Sequence, residues 1–320
     1  MKIELEKKIT LKNRLINSIS LLEGSIYYTS ALGNCVYKYD MSSEKESMII
    51  DGGCGYGKYK FREPVHAFVY KELNNVNIIV SDWHNHRVIK YQNGEYLTEL
   101  GFFSPTKSLL KNILKFIKGL SISGQYYESH FRGEDIRHSV ETDFFPNFFY
   151  MISSSCRLFS KRLFSFNKPN GTCFYKGGLL LTQKNNNCLT HTDLNLNPIR
   201  NYVIPESGRL GNINSLNGQT LFCVESIGKV FNIDGSGNIS AVNLRKIDIE
   251  FKPFSARYIS DDIIAVISMS YLHIFDILDG REVIRKKIDG ELHGLEADSD
   301  YIYVSDRLHS KVYKMRLSYD

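Results

Sequence analysis

Residues Gly52–Tyr91 read GGCGYGKYKFREPVHAFVYKELNNVNIIVSDWHNHRVIKY. A glycine-rich entry leads to Pro64, then to the apolar run VHAFVY, a polar loop, a second run NIIVSD, the tight connection WHNHR and a third run VIKY. The turn Asn93-Gly94 and a fourth run, EYLTEL, follow at once. Short runs rich in Val, Ile, Phe and Tyr between turn residues read as strands, and an Asn-Gly pair between two of them reads as a hairpin. Four antiparallel strands in succession make one blade of a β-propeller.

Weaker copies of this unit run along the chain. The step from Asp82 to Val88 is repeated from Ser30 to Val36, from Gln183 to Leu189 and from Asp306 to Val312. Two shorter units, LFCVESIGKVFNI from Leu221 and IIAVISMSYLHIF from Ile263, make six. The second strands then begin near Tyr27, Ile79, Leu180, Leu221, Ala265 and Ile302. A blade takes roughly 40 to 45 residues, and only the step from Ile79 to Leu180 is about twice too long. The sequence therefore predicts one all-β domain over residues 1–320, a six-bladed β-propeller with a helical insertion, residues 102–168, between blades two and three. The last blade runs out after three strands, so Ile3–Thr10 is expected to supply its fourth and close the ring.

The composition agrees, with 42% hydrophobic residues, 20 Tyr and 19 Phe against 7 Pro. MKIELEKKIT carries no apolar leader and no stretch approaches the roughly 18 apolar residues of a membrane span, so a cytoplasmic protein is expected. The 6 cysteines include no C-x-x-C pair and read as free, buried thiols. No G-x-S-x-G, P-loop or H-E-x-x-H is present, which leaves serine hydrolases, nucleotide-binding proteins and zincins without a motif.

The insertion follows a different period. In PTKSLLKNILKFIKGL, Lys107, Lys111, Lys115 and Lys118 fall on one helical face, opposite Leu109, Ile113, Phe116, Ile117 and Leu120. Residues 102–168 hold ten Lys and Arg against five Asp and Glu, a surplus equal to the formal net charge of +5 of the whole chain. The propeller proper is thus about neutral, and attraction to anions is expected to originate in the insertion. Propeller topology sets the insertion over the face that carries DWHNHR, as a lid.

Aligning the starts of the innermost strands brings Asn17, His66, Asn170, Asn212, Ser255 and His293 to one mouth of the central channel, polar groups of the kind that bind a small molecule. His66 and His293 suit proton transfer near neutral pH, and His84 is expected to reach toward them from its loop. Trp83, the only tryptophan, can stack on a sugar or aromatic ring. Arg307 and His309 occupy neighbouring places on blade six.

The stretch Gly52–Tyr91 resembles an NHL repeat, on Gly57, Phe61, Pro64, Val80-Ser81-Asp82 and Asn85-His86-Arg87-Val88. The other blades depart from that pattern. The resemblance implies a six-bladed ring in which Asp82, Asn85 and Arg87 brace the turn. It also implies a comparison with amidating lyases on NHL-like propellers, which hold zinc through histidines on alternate blades. His66 and His293 would be two metal ligands, for zinc or calcium as the divalent ion. The third blade position offers only Asn212 or Asn214, so His84, His130 or His138 would have to complete the set.

The leading expectation is a pocket for a small polar ligand, a sugar or modified metabolite, with His-based or metal-assisted lyase or hydrolase chemistry. The alternative is a non-catalytic scaffold for protein partners, a role common among NHL propellers. A neutral propeller argues against nucleic acid, although the basic, aromatic insertion has the makings of a single-strand binder. The helix over residues 105–120 is also suited to lying on a membrane surface.

Overall fold

The computed structural model describes residues 1–12, 15–55, 58–101, 168–184, 187–245 and 250–318. Six four-stranded antiparallel sheets follow one another along the chain. Strand β1, Lys2–Thr10, precedes blade one, which holds β2–β5 (Ile16–Leu22, Ser25–Ser30, Cys35–Asp40, Lys45–Ile50). Blade two holds β6–β9 (Pro64–Glu72, Asn75–Asp82, Arg87–Gln92, Glu95–Gly101), and blade three β10–β13 (Pro169–Tyr175, Gly178–Gln183, Cys188–Thr192, Pro198–Val203). Blade four holds β14–β17 (Leu210–Leu216, Gln219–Val224, Lys229–Ile233, Ile239–Ala241), and blade five β18–β21 (Pro253–Tyr258, Ile263–Ser268, Tyr271–Asp276, Arg281–Lys287). Blade six holds β22–β24 (Leu292–Ala297, Tyr301–Asp306, Lys311–Ser318) and takes β1 as its outermost strand.

The six-bladed all-β expectation holds, and so does the closure. Ile3 pairs with Leu317 and Ile9 with Val312, in antiparallel register interrupted by one irregularity between Leu5 and Lys7. The expected helical insertion, including its 105–120 face and His130 and His138, lies outside the described residues. Those that are described place its ends, with β9 stopping at Gly101 and β10 starting at Pro169. Among the described residues the one helical element is the 3-10 turn Glu225–Ile227, and no helix is long and apolar enough to cross a membrane.

Burial explains the strand patterns. The second strand of each blade is covered on both faces by the neighbouring blades, so β3, β7, β11, β15, β19 and β23 are continuous buried runs such as LLLTQ and IIAVIS, with little alternation. Outermost strands such as β5 and β21 are exposed or half-buried along almost all of their length. The core is correspondingly divided into six apolar clusters, one between each pair of adjacent blades; one joins Leu180 and Leu189 to Ile213 and Phe222, another Ile267 and Ile274 to Leu295 and Val304.

The turn brace read from blade two is present in full. Arg87, with no exposed surface, donates from Nε to Asp82 Oδ2 (2.9 Å), from Nη1 to Glu99 (2.9 Å) and from Nη2 to the Lys60 carbonyl (2.6 Å). Asn85 Nδ2 donates to the same Asp82 oxygen (2.7 Å) and to the Gly55 carbonyl (2.8 Å), while the Arg62 amide donates to Asp82 Oδ1 (2.8 Å). These bonds tie the loop before β6 to the hairpin after β7. They hold Glu63, Trp83 and His84 at one end of the blade.

Candidate functional site at the channel mouth

Every innermost strand carries an irregularity after its first pair, and it is what sets the mouth. Ile16, Pro64, Pro169, Leu210, Pro253 and Leu292 each pair with the last residue of the second strand, and the register then shifts. Glycines let the strands close up there. A Cβ on Gly171 would meet the Ile213 amide at 2.6 Å, and one on Gly211 the Phe254 carbonyl at 2.2 Å. The shift also corrects the sequence alignment. Asn17, Asn170 and His293 share one repeat position, whereas His66, Asn212 and Ser255 stand one residue further along.

Two other repeat positions supply most of the mouth. One is the residue immediately before the innermost strand, and the other is the residue immediately after the second strand. In five blades the amide of the latter donates to the carbonyl of the former: Ala31 to Leu15, Trp83 to Glu63, Lys184 to Lys168, Glu225 to Arg209 and Arg307 to Glu291. Leu15, Glu63 and Lys168 sit in the left-handed region, with φ of 60°, 56° and 59°. Side-chain residues rarely adopt that region, and it recurs where geometry serves function.

The side chains at these positions join with those of His84, Phe254 and His293 in a closed circuit. The rings of Trp83 and His84 lie 4.6 Å apart, and His84 Nε2 is 2.8 Å from Glu63 Oε2. Glu63 Oε1 is 3.7 Å from Arg307, whose Nη1 donates to Glu291 Oε1 at 3.3 Å. The same Glu291 oxygen is 2.9 Å from His293 Nε2, and the His293 ring packs 4.2 Å from that of Phe254. Lys184 Nζ closes the circuit, 5.9 Å from the Phe254 ring and 5.5 Å from Trp83. Blades two, three, five and six all contribute, and blade four adds Glu225, 3.9 Å from Lys184.

Of the residues singled out in the sequence, the circuit contains His84, His293, Trp83 and Arg307. His66 is buried, and its Nδ1 has no hydrogen-bond partner among the described residues. Asn17 is equally buried with Nδ2 unpartnered, and Asn212 gives its amide to the His293 carbonyl (3.4 Å) while its Oδ1 is unpartnered. Asn170 and Ser255 are used between blades, Asn170 donating to the Leu210 carbonyl (3.1 Å) and Ser255 Oγ accepting from Asn214 (3.1 Å). His309 is exposed and turned to Asp306 Oδ2 at 2.6 Å. Trp83 carries a cation at its ring, Lys168 Nζ sitting 4.2 Å from the centroid. Glu63, Lys168, Lys184, Glu225, Phe254 and Glu291 were missed. A signal existed, because five of the six residues that precede the innermost strands (Glu63, Lys168, Arg209, Lys252 and Glu291) are charged.

The electrostatics define two carboxylate–histidine pairs bridged by Arg307. Its bond to His293 holds the Glu291 carboxyl down at about 2, with Arg307 adding to the effect. Burial pushes His293 below the usual imidazole range, and Arg307 and Lys184 push the same way, against Glu291. An ionised Glu291 takes the Nε2–H of a neutral ring and leaves Nδ1, buried and unpartnered, as the proton acceptor. Arg307 beside both carboxylates supplies positive charge for a developing anion.

No described residue completes the metal set expected on His66 and His293, and His130 and His138 lie outside the described residues. Among the described residues no three His, Cys, Asp or Glu side chains are grouped so as to hold an ion, and His84 is already turned to Glu63.

The same architecture recurs widely among solved structures. Virginiamycin B lyase from Staphylococcus aureus superposes with a TM-score of 0.58 at 11% identity, over 99% of this chain and 100% of that one. A catalytically inactive histidine-to-alanine form of that lyase, with quinupristin, aligns with the same TM-score at 10% identity. A candidate gluconolactonase aligns with a TM-score of 0.59 at 8% identity, over 98% of this chain and 91% of that one. The WD40 repeats of RRP9 align equally well, 0.59 at 7% identity, over 99% of this chain and the whole of theirs. At such identities the likeness is one of fold: the chain is a six-bladed propeller whose neighbours include lyase and lactonase structures and WD40 repeats. No protein-family model matches the chain, and no curated protein matches its sequence.

Proposed function

We propose that this propeller binds a small polar molecule, a sugar or modified metabolite, at the channel mouth and acts on it by proton transfer through His293, in lyase or hydrolase fashion. The observation that carries the reading is the closed circuit of side chains around the mouth, together with buried polar atoms of Asn17, Asn212, His293 and Arg307 that have no partner among the described residues. Orphaned donors and acceptors of this kind cost roughly 1–3 kcal/mol each unless something hydrogen-bonds to them. A polar ligand does so. The neighbouring lyase that is inactive after one histidine is replaced supports a histidine as the working group.

The scaffold reading draws on the likeness to WD40 repeats. An enclosed, charged circuit favours a small ligand over the flat contact of a protein partner. Within propellers, the Asp82–Asn85–Arg87 brace supports kinship with the NHL-repeat kind. A cytoplasmic setting accords with Cys35, Cys173, Cys188 and Cys223, all free thiols.

A thermal-shift screen of sugars, lactones and related metabolites tests the reading on wild type, His293→Ala and Glu291→Gln. A hit should raise the melting temperature of wild type, with His293→Ala weakening its binding about 10- to 100-fold. The free variant should melt only modestly below wild type, since alanine gives up the bond to Glu291 and the contact with Phe254. Hits indifferent to His293, or a large drop in the variant's own stability, would make His293 a core residue.

A further inference from the structure

We propose that blade three carries a subsite for an anionic group, a carboxylate or phosphate, held by Lys168 and Lys184 against Trp83. The proposal rests on the reading of the mouth as a ligand site and names the chemistry of what enters it.

The argument comes from comparing the two mouth positions blade by blade. Blade four pairs Arg209 with Glu225 at 3.2 Å, and blade six pairs Glu291 with Arg307 at 3.3 Å. Blade two sets Glu63 beside Trp83, and Glu63 is met by His84 and Arg307. Blade one offers Leu15 and Ala31, and blade five Lys252 and Met269. Blade three alone places two like charges together, Lys168 and Lys184, joined through the Lys184 amide and the Lys168 carbonyl.

Among the described residues negative charge offsets them only in part. Lys168 Nζ rests on Trp83 at 4.2 Å and Lys184 Nζ leans on the same ring at 5.5 Å. The one carboxylate within 4 Å of either among the described residues is Glu225, whose Oε2 is 3.9 Å from Lys184 and whose Oε1 already serves Arg209. Burial lowers the pKa of both lysines; Glu225 opposes this at Lys184, where Arg209 and Lys168 add to it, and Glu63 opposes it at both. Two desolvated ammonium groups that repel one another are stabilised by any anion placed between them, and an indole face holds them in place meanwhile.

Trp83 is the only tryptophan, so its fluorescence reports on the site directly. Wild type, Lys184→Met and Lys168→Met are titrated with inorganic phosphate and with malonate, against sodium chloride at matched ionic strength to remove simple screening. Wild type should show a saturable change with phosphate, malonate or both, and none with chloride. Each variant should weaken that response at least about tenfold. Lys184→Met gives up the 3.9 Å contact with Glu225, whose other oxygen keeps Arg209, and relieves the burial of a charge, so it should melt close to wild type. A response to phosphate alone assigns a phosphate ester, and a response to malonate assigns a carboxylate. No saturable response in wild type, or an undiminished one in both variants, overturns the subsite. If neutral sugars still bind in a His293-dependent way, the mouth remains a ligand site and only the anion subsite falls. If anions bind through the lysines while no ligand depends on His293, the proton-transfer reading falls and the subsite stands.

Discussion

Replacing Asp82 by alanine should cost the fold about 3 to 5 kcal/mol, read from urea unfolding at neutral pH. The guanidinium of Arg87 is wholly enclosed, and Asp82 accepts from it, from Asn85 and from the Arg62 amide. Alanine removes the acceptor for all three and leaves Arg87 with Glu99 and the Lys60 carbonyl. A buried charge without its partner is the costly case; removing both members is cheaper. Asp82→Leu combined with Arg87→Met should therefore be less destabilising than Asp82→Ala alone. A loss below about 1 kcal/mol in the single variant would mean that the brace does not hold the mouth of blade two.

The second large effect concerns pH. Burial pushes the His66 imidazole down to about 4, against about 6.5 for the group in an unfolded chain. As pH falls below about 6.5 the unfolded chain takes up a proton that the folded chain refuses, so stability drops until the folded group titrates near 4. The stability is present above the higher pKa and lost on the acid side. The difference in unfolding free energy between wild type and His66→Gln should shift against wild type by about 3 kcal/mol over that interval and level off below it. Carboxylates titrate in the same range in both proteins and cancel in the difference. A flat difference would mean that His66 is solvated in the channel.

Much of the fold was legible because propeller blades repeat. Blade two carried its strands, turns and brace in sequence order, and the missing fourth strand of blade six announced the pairing of Ile3–Thr10 with β24. The mouth was legible in part. Trp83 and Arg307 follow directly on second strands that end at Asp82 and Asp306, and His84 comes one residue later. The innermost strands were harder, because a shift after their first residue puts two residues opposite one and separates His66, Asn212 and Ser255 from Asn17, Asn170 and His293. Glu63 and Glu291 looked like loop residues, since nothing local distinguishes a charge in a turn from a charge at a channel mouth. Only the hydrogen-bonded pairing of Glu63 with Trp83 and of Glu291 with Arg307 shows that these are one repeated position.

The central claim is that the circuit joining Glu63, His84, Arg307, Glu291 and His293 is where this propeller meets its ligand. A crystal structure of the chain with the strongest compound from the thermal-shift screen tests it most directly. The account predicts density for that compound in the channel mouth, with polar atoms within hydrogen-bonding distance of His293 and Arg307. Density on the outer strands, or at the opposite end of the channel, with the circuit unchanged, would contradict it.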